Sequence, residues 1–145
     1  MTNDAITTES VARRLADTAP TFPQGLGIEP VSIDDERTVG RIVVDRRHLH
    51  PGDMVHGGVW TGLGDTIAAW QTFRHLPEGW NFTTVELKLN AFAGAVLGDT
   101  LIATAEHLHA GRSTHVIETR IERERDGERR LGANLIVTQF VIPGA

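Results

Sequence analysis

The sequence reads as an α+β domain in which one long central helix is wrapped by an antiparallel sheet of five to six strands. Three observations support this. Between residues 55 and 73 alternation of polar and apolar residues stops, and a stretch rich in Gly and Ala runs for the length of a helix. Two strand-like runs precede it, and nearly everything after it up to residue 142 is strand-like. Asp126-Gly127, between the last two runs, is a type I′ hairpin signal that makes them antiparallel neighbours.

In chain order, Thr8 to Ala19 suits a short amphipathic helix with Val11, Leu15 and Ala19 on one side, ended by Pro20 and Pro23. Leu26 to Ile33 and Thr38 to Val44 form a hairpin around the turn-forming Ser32 to Glu36. Arg46 to Asp53 is a polar loop containing Pro51-Gly52. The central helix is expected from Val55 to Phe73, and its glycines at 57, 58, 62 and 64 each cost about 1 kcal/mol of helix propensity. Close approach of a sheet, a ligand or another helix would offset that cost. The remaining strands are Thr83 to Phe92, Thr100 to Leu108, Ser113 to Arg125 and Arg130 to Ile142. In the first of them Val85, Leu87 and Leu89 share one face, and Thr84, Glu86 and Lys88 the other. The charged run Arg120 to Arg130 reads as the solvated tip of the last hairpin.

The 145 residues suit a single domain, with residues 1–20 as an N-terminal helical segment and no repeat or linker. Fourteen basic and 19 acidic residues leave a net charge of −5, which argues against a dedicated nucleic-acid binder. An anionic small molecule stays open, because a few local Arg or N–H groups suffice to hold one. The absence of cysteine removes disulfides, Cys-based zinc sites and a cysteine nucleophile. Met1 to Glu9 is polar, without the basic and apolar regions of a signal peptide, and no apolar run reaches a membrane span of roughly 18 residues. The expectation is a cytoplasmic protein without a membrane partner. One helix against one sheet leaves a sheet face and edge strands free, so self-association is also expected.

Asp65 is the lone formal charge between Val55 and Phe73, flanked by Leu63, Ile67, Ala68, Ala69 and Trp70. Either neighbouring hydroxyls or solvent satisfy it, or it is a working carboxylate. A buried carboxylate is costly, and no cation lies three or four residues away. Groups held in that way tend to be functional. At the helix start, His56-Gly57-Gly58 offers N–H groups that lack helical partners and carry the positive end of the dipole. Glycine there either eases packing or lets a substrate carbonyl reach a bare N–H as an oxyanion hole. Gly57 and Asp65 lie eight residues apart, about 12 Å along one helix, so they cannot both touch one reacting carbon within a chain. A two-fold axis pairing two central helices would bring Gly57 of one subunit to Asp65 of the other.

The segment His50-Pro-Gly-Asp-Met-Val-His56-Gly57-Gly58-Val-Trp-Thr-Gly-Leu-Gly-Asp65-Thr66 resembles the active-site segment of hotdog-fold thioesterases of the phenylacetate-degradation (PaaI-like) type. Those carry a polar residue, His-Gly-Gly six positions on, and Asp nine positions after that His. Thr84 to Asn90 resembles their post-helix strand, Gly111-Arg112-Ser113-Thr114 a turn that meets coenzyme A, and residues 126–127 and 137–141 the closing hairpin. The resemblance implies a hotdog fold and hydrolysis of an acyl-CoA thioester in a homodimer or homotetramer with intersubunit sites. It implies no metal and no cofactor, coenzyme A entering as part of the substrate. By the same resemblance Gly57 N–H polarises the thioester carbonyl, and Asp65 acts as nucleophile or as general base. Thr84 would hold the water or the carboxylate, and Gly58 with Gly111 to Thr114 would meet the substrate.

His56 either shapes the helix start or contacts substrate. His50 stands where relatives commonly have Asn or Gln to orient the thioester or water; it is otherwise a loop histidine. Ala69 and Phe92 to Ala95 also depart from the pattern, which has a hydroxyl and a Pro or basic residue there in some relatives. Arg112 is a candidate for nucleotide phosphates. Trp60, Trp70, Phe73 and Trp80 cluster on or after the helix. They serve as core or interface, and Trp60 among them is a candidate for the acyl pocket of an aromatic or medium-chain substrate. His107, His109 and His115 alternate on neighbouring strands but lack a carboxylate at metal-site spacing. Two other outcomes fit the fold, a hydratase or dehydratase of acyl thioesters and a non-catalytic acyl-CoA-binding module.

Overall fold

The computed structural model describes residues 3–145. Helices α1 (Thr8–Asp17) and α2 (Phe22–Gly25) precede strands β1 (Glu29–Ile33) and β2 (Arg37–Val43). A 3₁₀ turn (Arg46–His48) leads to the central helix α3 (Gly57–His75). Strands β3 (Asn81–Ala91), β4 (Thr100–Ala110), β5 (Thr114–Arg125) and β6 (Glu128–Ile142) complete the chain. The six strands form one sheet in the order β1-β2-β4-β5-β6-β3, antiparallel throughout, and it curves around α3 as in a hotdog fold.

The N-terminal region differs from expectation. α1 stops at Asp17, with Thr18 as its C-cap, and buries only Val11. The residues after Pro20 form α2, with Pro23 in its first turn, where a missing N–H costs nothing. Consequently β1 starts at Glu29 rather than Leu26. The β1–β2 turn is fixed by Asp34 Oδ1, which accepts the N–H groups of Glu36 and Arg37 at 2.9 Å each.

α3 is two residues shorter at its start than expected and two longer at its end. Val55 is held in extended backbone, donating to Ala95 O at 2.8 Å and bridging Leu49, so the helix begins at Gly57. Leu63 and Ile67, fully buried, anchor it over Ile42, Leu101, Ile117, Ile121 and Leu135. Two of its glycines allow close approach. A Cβ on Gly64 would sit 2.5 Å from the Leu135 side chain, and one on Gly62 2.8 Å from the Phe22 ring. Tight packing there offsets the lost helix propensity.

β3 corrects the expected face pattern. A bulge between Thr84 and Glu86 interrupts its register with β6. An extra residue shifts every side chain beyond it by one. Val85 is therefore 60% exposed, while Thr84 joins Leu87 and Leu89 on the face toward α3. β3 is also an edge strand with its outer side unpaired.

The β5–β6 turn has positive φ at both Asp126 (50°) and Gly127 (78°), as a type I′ turn requires. The charged run is only partly a solvated tip. Arg125 leaves it to grip Asp99, which is 2% exposed, through two bonds of 2.6 Å. That grip holds the Asp99 carboxyl below the usual carboxylate range despite its burial. Among the described residues no helix is long and apolar enough to cross a membrane.

Candidate active site

Asp65 lies half-buried on the flank of α3 that faces β3. Thr84 Oγ1, turned inward by the bulge, donates to its Oδ1 at 3.2 Å. Among the described residues it forms no ion pair. Burial pushes the Asp65 carboxyl above its ordinary value, and the Thr84 bond opposes that rise. Such a carboxylate is a stronger base than a solvated one, and it is still reachable from solvent.

The start of α3 leaves one donor free. His56 is the N-cap; its Nδ1 accepts from Gly58 N–H at 2.8 Å, and its carbonyl accepts from Val59 N–H at 2.9 Å. Of the first three helical N–H groups, only that of Gly57 has no acceptor among the described residues. Packing explains the other glycines of the helix, since a Cβ on Gly58 would come 3.0 Å from the His56 ring. A Cβ on Gly57 would meet nothing within 4 Å. The chain's own packing therefore does not demand glycine at 57, and the residue is exposed.

His50 lies in the loop between the 3₁₀ turn and α3. Its Nδ1 accepts from Gly52 N–H at 2.9 Å, and its own N–H donates to Met54 O at 2.9 Å. With Nδ1 occupied as acceptor, the neutral ring carries its proton on Nε2, as a donor.

Other candidate residues stand apart from this group. The turn Gly111 to Thr114, closed by Gly111 N–H to Thr114 O at 2.9 Å, borders a hollow shared with His75, Pro77 and Trp80. That hollow adjoins the C-terminal end of α3, about 27 Å from Gly57 along the axis. Arg112 and Ser113 are exposed there. Trp60 is a core side chain, 3% exposed, whose ring covers Gly132. Phe73 packs on Phe82 with ring centroids 4.8 Å apart.

Sequence reasoning missed two histidine arrangements. Buried His48 fastens the loop before the helix, with Nδ1 accepting from Asp45 N–H and Nε2 bonded to Leu26 O at 2.8 Å. His75 at the end of α3 meets His107 edge-on, centroids 4.4 Å apart, and His107 bonds His115 at 2.9 Å. A bulge between His107 and His109 separates His109 from them. Among the described residues no group of three or more His, Asp or Glu is arranged to hold a metal ion. Burial, reinforced by the neighbouring histidines, pushes His107 down to about 3 and lowers His115 as well. The unfolded chain takes up these protons below about pH 6.5 while the folded chain does not. Stability is thus expected to fall as the pH drops from about 6.5 toward 3. His107→Gln should flatten the dependence of Tm on pH across that window, as thermal melts at stepped pH would show.

These sites can be set beside known proteins. A family model for the thioesterase superfamily matches residues 52–129, the span from the helix-start loop to the first residues of β6. The chain belongs to the thioesterase superfamily. Among curated relatives, the acyl-coenzyme A thioesterase PaaI of Escherichia coli is 30% identical over 103 residues, 70% of this chain and 71% of that protein. The 1,4-dihydroxy-2-naphthoyl-CoA hydrolase of Listeria monocytogenes is 30% identical over 101 residues, 70% of this chain and 81% of that protein. The crystal structure of thioesterase HI1161 from Haemophilus influenzae superposes with a TM-score of 0.83 at 26% identity, covering 94% of this chain and 90% of that one. This chain is therefore a hotdog-fold thioesterase of the PaaI-like type, and its reaction class is thioester hydrolysis.

Proposed function

We propose that the protein hydrolyses the thioester of an acyl-coenzyme A with an aromatic or medium-chain acyl group. Each site would be built from two subunits of a homodimer, which could pair further into a homotetramer. One observation carries this reading: a half-buried carboxylate without an ion pair and a bare N–H lie on one rigid helix, too far apart to serve one carbon together. The free outer edge of β3, beside Asp65, offers the surface along which a second copy pairs. The names of the Escherichia coli and Listeria relatives support coenzyme A as carrier and an aromatic group as cargo.

In this mechanism Gly57 N–H of one subunit binds the thioester oxygen and stabilises the negative charge that grows on it. Asp65 of the other subunit removes a proton from water, whose oxygen attacks the carbonyl carbon. The tetrahedral intermediate collapses with cleavage of the C–S bond, and the coenzyme A thiolate leaves and takes up a proton. In the alternative covalent route, an Asp65 oxygen attacks the carbonyl carbon, the C–S bond breaks and the coenzyme A thiolate leaves and takes up a proton, and water then hydrolyses the mixed anhydride to the free acid and Asp65. Thr84 orients the carboxylate, and His50 Nε2–H donates toward the thioester. His56 fixes the helix start that aims the Gly57 N–H. Neither route needs a metal or a redox cofactor.

Thiol release from a panel of acyl-CoAs, by the wild type and Asp65→Ala, tests the proposal. Aromatic and medium-chain thioesters should release thiol with the wild type only; hydration of an enoyl-CoA without thiol release would refute it. The Thr84 bond also has a pH signature. Asp65 must be ionised to act, so activity is present above its pKa and lost as pH falls through it. Thr84→Val removes a bond that favours the ionised form. The acid limb of kcat/KM should therefore move to higher pH, which a pH–rate profile would reveal.

A further inference from the structure

The charged hairpin contains two arginines that form no ion pair among the described residues, although Arg123 lies near enough to Asp99 to help hold its carboxyl low. Arg123 on β5 and Arg130 on β6 are direct cross-strand partners, an arrangement that destabilises a sheet through repulsion of like charges. Their neighbours are paired: Arg125 grips Asp99, and Arg129 bonds Glu124 at 2.7 Å. Arg123 has only a 3.4 Å bond from Nη1 to Gly94 O, and its Nε is buried without an acceptor. Arg130 is exposed and forms no ion pair or side-chain hydrogen bond among the described residues. Arg123 also sits opposite Leu101, a fully buried core residue. Both arginines therefore project on the side of the sheet that holds α3. They border a shallow hollow with Arg125, Asp126 and Glu128, of which Arg125 is already held by Asp99.

Position ties this pair to the start of α3. Gly94, which Arg123 touches, packs against Met54, and Ala95 O accepts from Val55 N–H two residues before Gly57. Gly132, two residues after Arg130, lies under the Trp60 ring. The turn Gly111 to Thr114 lies toward the opposite end of the helix.

We infer that Arg123 and Arg130 form an anion subsite that holds phosphate groups of the substrate's nucleotide, outward of the reacting carbonyl. The inference rests on the acyl-coenzyme A reading and extends it to the part of the substrate that does not react. Two guanidinium groups facing each other across a strand pair suit a diphosphate, which accepts from both and cancels their repulsion.

Direct titration with coenzyme A and with pantetheine, which lacks the nucleotide, tests it. The wild type should bind coenzyme A at least about tenfold tighter than pantetheine, a preference weakened by salt. Arg130→Gln, at an exposed position, and Arg123→Gln should each remove most of that preference. Arg123→Lys should retain part of it, and Arg120→Gln on the other face of β5 should leave it intact. Equal affinities of the wild type for the two ligands, or an unchanged preference in Arg130→Gln, would overturn the subsite. A protein that shows the expected preference but releases thiol from no acyl-CoA would keep the subsite and refute hydrolysis.

Discussion

Asp65→Asn is expected to lower kcat for acyl-CoA hydrolysis by about 10²–10⁴-fold, the usual worth of a positioned general base, and at the same time to raise Tm. The amide is nearly isosteric and its oxygen still accepts from Thr84 Oγ1, so the local packing survives. What disappears is the charge, and with it both the ability to take a proton and the cost of keeping a carboxylate partly desolvated without a cation. Burial disfavours ionised Asp65 in the folded protein, so removing the ionisation favours the fold. Steady-state kinetics with a thermal melt on the same preparation reads both effects. A variant that loses activity and also loses stability would assign Asp65 a structural role instead.

Gly57→Pro is expected to lower kcat by about 10²–10³-fold, the cost of one oxyanion donor, with the fold intact. Proline within a helix is ordinarily disruptive, but Gly57 is the first helical position, where proline is favoured. The preceding His56 already has ψ of 142°, in the range a following proline imposes. No side chain crowds the site. The substitution therefore deletes a single N–H. Gly57→Ala, which keeps the N–H, separates loss of the donor from bulk. Full activity in a folded Gly57→Pro protein would exclude the donor role.

Much of the architecture was legible because it rests on local signals: the uncharged Gly- and Ala-rich stretch, the Asp126-Gly127 turn and the alternating strands after the helix. Asp65 and Gly57 stood out for the same reason, as a charge and a bare glycine where neither helps a helix. The inward turn of Thr84 was not legible, because the strand looks evenly alternating and only pairing with β6 shows that Val85 is an extra residue. α2 escaped notice because its four residues contain both a Pro and a Gly and show no helical period. The His75–His107–His115 cluster joins three elements, α3, β4 and β5, and no spacing in the chain announces such a contact. Arg123 looked like any member of a solvated charge run; cross-strand register and the segment around Gly94 set it apart.

The separation of Gly57 and Asp65 along one stiff helix makes the proposed dimer subject to a rule of inheritance. Each subunit lends its donor to one site and its carboxylate to the other. A hybrid of an Asp65→Ala subunit and a Gly57→Pro subunit thus concentrates both defects in one site and leaves the other whole. Two inactive parents, unfolded together and refolded at equal concentration, would pair at random, half of them as hybrids with one working site in two. The mixture would recover about one quarter of wild-type activity, because a two-fold axis exchanges the subunits' contributions. Complementation of that kind cannot arise if each chain carries a complete site of its own.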